Sequence, residues 1–285
     1  MILTGLEMRM ELNKYVKKIM GVPRRIYRSM ESKRYRAGIY QNRLSVLTAW
    51  QTIELLSETG RCFCRFGDGE IAIMCGEGIA FQKADRALGK RLLEILQLED
   101  EHFLVGINYF YLNPVQGVNG FTQNFLNCLQ MQRKFLLKNC SKKRVYIDAA
   151  ITQMYQNYNE YDFDTHFQKL QKLFQGRKVT LICGKGILDD IQYNALDACA
   201  DVEYIYGPSR DAYSQYDVLL KRALEIDKKR VICVILGPAA KILVYDLYKS
   251  GRIAWDIGHY LKDYDSYMRQ QPRTDEEIEA FFKPD

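Results

Sequence analysis

Two carboxylates, Asp68 and Glu70, are separated by one glycine and follow closely on the apolar run Cys62-Phe63-Cys64. With so small a residue between them, both can approach one hard divalent cation from the same side, and Gly67 and Gly69 permit the tight backbone this needs. Mg²⁺ or Mn²⁺ held by one or two carboxylates keeps coordination positions free for diphosphate oxygens and neutralises charge building on a departing phosphate. The competing reading of the triplet is a turn with solvated carboxylates. Arg65, just upstream, either pairs with a diphosphate or orients a carboxylate in a structural ion pair.

Other residues extend this chemistry. Gly184-Lys185-Gly186 closes the strand-like run Val179 to Cys183. With a helix behind it, its backbone N–H groups would cradle a phosphate, and Lys185 would add a cation. The loop lacks the third glycine of a dinucleotide fingerprint and is not a Walker A sequence. A dinucleotide-dependent oxidoreductase, with Asp201 or Glu203 on the ribose, stays open as a second enzymatic reading. His259, ending the last strand, is the best placed of three histidines to stabilise a leaving phosphate or move a proton. Asp263 and Asp148 are candidate bases, and Tyr109, Phe110 and Tyr111 either stack on a ligand or pack in the core.

These residues need elements to position them. Apolar runs at Cys62–Cys64, His102–Ile107, Val145–Ile147, Val179–Cys183, Val202–Tyr206, Val231–Leu236 and Ile253–Ile257 read as short strands. Helical periodicity links Val46 to Leu56 with Gly60 as its stop, Phe121 to Leu129, Ala212 to Ala223, and Ala240 to Leu247 behind Pro238, with Gly251 as a stop. Strands apolar throughout are covered on both faces, so the expected fold is α/β: a Rossmann-like, doubly wound, mostly parallel sheet flanked by helices. In such sheets ligands bind beyond the carboxyl ends of the strands, which is where the polar residues above fall.

The string Arg65-Phe66-Gly67-Asp68-Gly69-Glu70, followed by Ile71-Ala72-Ile73, resembles the signature of the GT-D-type glycosyltransferases, a bacterial family first known as a domain of unknown function. Three further segments resemble the family in the right order: Val179 to Gly186, Gly207-Pro208-Ser209-Arg210-Asp211-Ala212-Tyr213, and Leu236-Gly237-Pro238-Ala239-Ala240 through Trp255-Asp256-Ile257-Gly258-His259. The resemblance implies a nucleotide-sugar donor, typically a UDP-sugar, with Mn²⁺ or Mg²⁺ on Asp68 and Glu70. It also implies a saccharide acceptor, a glycan or a lipid-linked or protein-linked oligosaccharide, of the kind used in surface-polysaccharide assembly. Donor contacts are then expected from Arg65, Gly184, Lys185, Gly186, Ser209 and Asp211, the last standing where the family pattern carries Asn. His259 and Asp265 are expected at the reaction centre, Asp265 as the base because the family keeps an acid at that offset from the histidine. A nucleotide-sugar-binding or scaffold subunit that keeps the fold without turnover is the non-enzymatic alternative.

Composition bounds the rest. The 285 residues are 47% hydrophobic and 27% charged, as in folded proteins, and no apolar run reaches the roughly 18–20 residues that span a bilayer. No secretory leader is legible, so a cytoplasmic protein is expected. Eight cysteines without a CxxC pair read as packing thiols rather than a zinc or redox site. Residues 1–43 hold eleven Lys or Arg against three Glu, a net +8, whereas the whole chain is +6, leaving −2 for the remainder. Two parts are therefore expected: a basic helical N-terminal extension, 1–43, and the glycosyltransferase-like domain, 44–285. The basic stretch 14–36 is either a solvated helix or a peripheral contact with anionic lipid at the inner face of the membrane. Nucleic acid is not an expected partner, since no nucleic-acid module follows.

Overall fold

A computed structural model describes residues 24–283, so Lys14, Lys17 and Lys18 of the basic stretch lie outside the described residues. Eight strands form one sheet: β1 Ser45–Val46, β2 Phe63–Phe66, β3 Leu104–Ile107, β4 Val145–Asp148, β5 Lys178–Gly184, β6 Asp201–Gly207, β7 Val231–Ile235 and β8 Ala254–Asp256. Their order is β1-β4-β3-β2-β8-β7-β5-β6, and every neighbouring pair is parallel. The expected α/β sheet is thus the observed one. Seven of its strands follow the predicted runs; β1 was not anticipated, because two residues leave no periodicity to read.

Parallel pairing puts all carboxyl ends on one edge, and helices cover both faces. β2, β3 and β8 are buried at every position, which is why their sequences show no alternation. β6 is the exception: it pairs only with β5 and leaves Tyr204 and Tyr206 exposed on the sheet's outer margin. Local signals set the helix ends. Thr48 caps the helix Ala49–Thr59, and Gly60 ends it at φ 58°. Pro238 opens the helix Pro238–Lys249, which gives way to Gly251 at φ 76°.

Three expectations about helices change. The helix predicted over Phe121–Leu129 is Gly120–Leu126, ending three residues early, and a separate helix that was not anticipated, Gln130–Asn139, follows it. The helix expected from Ala212 starts as a 3₁₀ turn, Ala212–Gln215, and becomes α-helical at Tyr216–Leu224. No helix follows β5 directly; turns carry the chain to a short 3₁₀ segment, Ala195–Ala198.

The basic helix Arg24–Arg36 packs on the body of the fold. Its inward residues Glu31, Ser32 and Tyr35 are buried, as are Tyr40 and Leu44 beyond it. Tyr35 donates its hydroxyl to the carbonyls of Phe110 and Asn113. The fully buried Arg133 joins Glu31 at 2.6 Å, lies over the rings of Tyr35 and Tyr40 at 4.4 and 5.3 Å, and donates to the carbonyls of Tyr111 and Leu126. Residues 31–44 therefore share the core of the domain. Among the described residues, no helix is long and apolar enough to cross a membrane.

Removing Arg133 strands the buried Glu31 carboxylate, and breaking such a pair from one side costs about 3–5 kcal/mol. Arg133→Met is expected to lose stability on that scale in denaturant unfolding.

Candidate active site

The carboxyl ends of β2, β3, β5, β7 and β8 open into one cleft of about 490 Å³. Its floor is a chain of charges. Arg65, buried within β2, donates from Nε to the Asp256 carbonyl (2.9 Å), from Nη1 to the Ala149 carbonyl (3.1 Å) and Thr152, and from Nη2 to Asp256 Oδ1 (3.3 Å). Asp256 Oδ2 accepts the Arg65 backbone N–H and lies 3.2 Å from Lys241 Nζ. Lys241 Nζ in turn lies 2.9 Å from Glu70 Oε1. Burial alone would raise the Asp256 carboxyl, but Arg65 and Lys241 hold it below its ordinary value. Burial would likewise lower the Lys241 ammonium, and Asp256 and Glu70 hold it above its ordinary value. The four side chains alternate in sign along the floor and compensate one another.

Glycine is required at one point of this floor. Gly258 has φ 43°, and a Cβ there would sit 1.5 Å from Arg65 Nη2. The guanidinium occupies the space a side chain would take.

The Asp68-Gly69-Glu70 triplet forms the first turn of the helix Asp68–Met74. Glu70, at its third position, reaches back to accept the N–H of Gly67 at 2.8 Å, one half of a capping box. Both Glu70 oxygens are thus engaged, one by this amide and one by Lys241. Asp68 is different. It is exposed at the cleft and pairs with no basic side chain among the described residues; its backbone N–H donates to the Tyr111 hydroxyl (3.2 Å), which lies 3.5 Å from its Oδ1. Desolvation by the cleft walls, then Glu70, raises its pKa. A cation arriving at Asp68 relieves both effects. No group of three or more His, Cys, Asp or Glu side chains suited to a metal exists among the described residues. Two carboxylates with the remaining positions left to phosphate and water is the donor set that suits Mg²⁺ or Mn²⁺, so the residues fit such an ion, with Asp68 as the freer ligand.

His259 lines the cleft, its ring packed against Phe281 and Phe282 at 5.4 and 5.5 Å between centroids. Burial, then Arg65, Lys262 and Lys241, depress its pKa to about 3. This favours the neutral imidazole, which is able to accept a proton at one ring nitrogen and to donate an N–H from the other.

The remaining expected residues divide. Gly184 and Ser209 line the cleft together, and a Cβ on Gly184 would come within 2.5 Å of Ser209 Cα. Lys185 is exposed outside the lining, and its N–H is taken by the Gly207 carbonyl (3.1 Å). With no helix behind Gly186, the expected phosphate cradle lacks a helix dipole and the Lys185 N–H. Asp201 and Glu203, the acids of the dinucleotide reading, are ion-paired with Arg230. Asp211 also lies outside the lining, at φ 55°, a conformation that Asp and Asn tolerate best among side-chain-bearing residues. Its carboxylate accepts from Gln82 and the Lys83 N–H, and its own N–H donates to Phe81, which pins the Ile79–Phe81 segment along the cleft.

Asp265 is not at the reaction centre. Its carboxylate accepts the N–H groups of Gln192 and Tyr193, both at 2.9 Å, and pairs with Arg269 at 3.2 Å, away from the lining. Asp263 and Asp148 are equally committed. Asp263 accepts from the N–H groups of Tyr155 and Gln156, and Asp148 from those of Tyr109 and Ala150. Sequence reasoning missed Lys241, whose signal was a lone cation among Pro238-Ala239-Ala240 and Ile242-Leu243-Val244, and Asp256, an acid inside an apolar strand. It also missed Asn108, which lines the cleft with a buried Oδ1 that has no hydrogen-bond partner among the described residues.

Two outcomes follow from this packing. Gly258→Ala is expected to unseat Arg65 and cost about 3 kcal/mol or more, read as a lower denaturant midpoint. Burial raises the Asp263 carboxyl to about 7. Its folded-state pKa then exceeds the unfolded value, so the native state holds the extra proton and stability falls as pH rises from about 4 through 7. Asp263→Asn is expected to flatten that decline in unfolding midpoints measured from pH 5 to 8.

With the geometry in place, comparison with known proteins is informative. The model of the glycosyltransferase GT-D fold family matches residues 63–278. A probable glycosyl transferase, Gly, of Streptococcus gordonii is 30% identical over 230 residues, covering 80% of this chain and 34% of the relative. The glycosyltransferase GlyD of Streptococcus pneumoniae is 23% identical over 226 residues, covering 79% and 28% respectively. The chain thus spans about a third of the length of these curated relatives. A solved glycosyltransferase from Streptococcus sanguinis superposes with TM-score 0.75 at 29% identity, covering 80% of this chain and 85% of that one. A structure of domain of unknown function 1792, described as a distinct glycosyltransferase fold, gives TM-score 0.77 at 27% identity over 83% and 86%. By sequence match and by fold, this chain belongs to the GT-D-fold family of glycosyltransferases.

Proposed function

We propose that this domain transfers a hexose from a nucleotide-diphosphate sugar, a UDP-sugar such as UDP-glucose, to a saccharide hydroxyl in the assembly of a surface polysaccharide or glycoprotein glycan, with Mn²⁺ or Mg²⁺ at Asp68. The observation that carries this reading is the uncompensated Asp68 carboxylate beside a compensated floor. A diphosphate is repelled by a lone carboxylate unless a cation sits between them. Asp68, with Glu70 in support, would hold a divalent ion there, which would supply positive charge to offset that of the leaving nucleotide.

The protein's own groups do the rest. Lys241 and Arg65 hold the Glu70 and Asp256 carboxylates in place, so the site needs little reorganisation when the donor arrives. The buried Asn108 Oδ1 is an acceptor waiting for a hydroxyl donor, which a sugar or ribose provides. Phe81, Phe121, Phe125, Phe281 and Phe282 give the cleft an apolar side suited to the faces of a base or sugar ring. Among the groups weighed as bases, His259 is the one facing the cleft with a neutral, proton-accepting form.

The test is nucleotide release from a panel of UDP-sugars with and without Mn²⁺, with and without saccharide acceptors. Wild type is expected to need the metal, and Asp68→Asn to lose about a hundredfold or more of its rate while melting normally. Wild-type turnover by Asp68→Asn would remove the metal-site assignment. Donor binding without any release would favour a nucleotide-sugar-binding subunit without turnover.

A further inference from the structure

The helix Arg24–Arg36 buries one face and leaves another with no partner among the described residues. Glu31, Ser32 and Tyr35 point inward. Ile26 and Met30, 51% and 56% exposed, stand one turn apart on the outward side, and Lys33 continues the same row. Ile39, 46% exposed, and the exposed Arg34, Arg36 and Arg43 extend the surface beyond the helix. The one acid between residues 24 and 43 is Glu31, and it is consumed inside by Arg133. The outward face is thus apolar and cationic, with no carboxylate to moderate it.

That combination selects among anionic partners. A phosphate-rich polymer or a free phosphate satisfies the cations but leaves Ile26, Met30 and Ile39 in water. A bilayer with anionic headgroups satisfies both, taking the apolar side chains at the acyl boundary and the cations at the headgroups. We infer that this face docks the domain on an anionic lipid surface. The position of the helix gives the docking a consequence. Tyr35 bonds the carbonyls of Phe110 and Asn113, Asn42 donates its N–H to Asn113 Oδ1 at 3.2 Å, and Phe110 and Tyr111 line the cleft. The helix that carries the docking face therefore packs behind one wall of the cleft, near the carboxyl edge of the sheet, and a bound domain turns that wall toward the lipid surface. This inference does not rest on the donor or metal reading.

The experiment is flotation of the full-length chain with vesicles of phosphatidylcholine alone or mixed with phosphatidylglycerol, with no nucleotide or metal added. Wild type is expected to float with the mixed vesicles, to stay behind with the neutral ones, and to be released by high salt. Each surface cation near such a membrane contributes about fivefold in partition, so Lys33→Ala combined with Arg43→Ala is expected to lose about 25-fold. Met30→Ser tests the apolar contribution separately and is expected to weaken binding at low salt. All these positions are exposed, and unchanged melting confirms that the fold is intact. Failure of wild type to float, equal flotation with neutral vesicles, or wild-type partition by both variants overturns the inference.

Discussion

The buried sequence of charges Arg65–Asp256–Lys241–Glu70 is the constraint on which the site depends. Each member is costly to bury alone, and each is tolerated because its neighbour carries the opposite sign. The chain ties β2, β8, the helix behind β7 and the helix behind β2 into one floor. It also dictates small residues around it: Gly258 exists as glycine because the Arg65 guanidinium fills the volume its Cβ would need. Replacing the network with apolar groups would remove what fixes the first turn of the Asp68 helix.

Seen from this floor, the two carboxylates of the triplet have unequal tasks. Glu70 fastens its own helix start to Gly67 and completes the charge chain through Lys241. Asp68 is left facing the cleft, with the Tyr111 hydroxyl 3.5 Å from its Oδ1 and no basic side chain paired with it among the described residues. The asymmetry lets one turn of helix be rigid and still present an unsatisfied negative charge to a ligand. His259, its pKa depressed by burial, and the Asn108 Oδ1 acceptor, without a hydrogen-bond partner among the described residues, line the cleft at the point where a cation and a diphosphate would meet.

A second buried pair, Glu31 with Arg133, serves the basic helix as the first serves the cleft. Arg133 also holds the carbonyls of Tyr111 and Leu126, so the helix and one wall of the cleft share an anchor. The N-terminal basic segment, compositionally separable from the rest, is structurally continuous with it from Glu31 onward.

Much of the fold was legible in the sequence because strands buried on both faces must be apolar throughout, and parallel ones must end where polar and glycine residues begin. Seven of eight strands and the location of the Asp68-Gly69-Glu70 turn followed from that alone. What only the tertiary structure decided was which ends meet. β2 pairs with β8, so Arg65 meets Asp256, 191 residues away, and Lys241 reaches both Glu70 and Asp256 from a helix whose local sequence reads as ordinary core. The same distance effect removed Asp265 and Lys185. Spacing along the chain put them beside strand ends, but backbone N–H and C=O groups elsewhere in the fold had already claimed them. Residue type and local spacing fix what a side chain is able to do. Long-range pairing of the strands fixes whether it is free to do it.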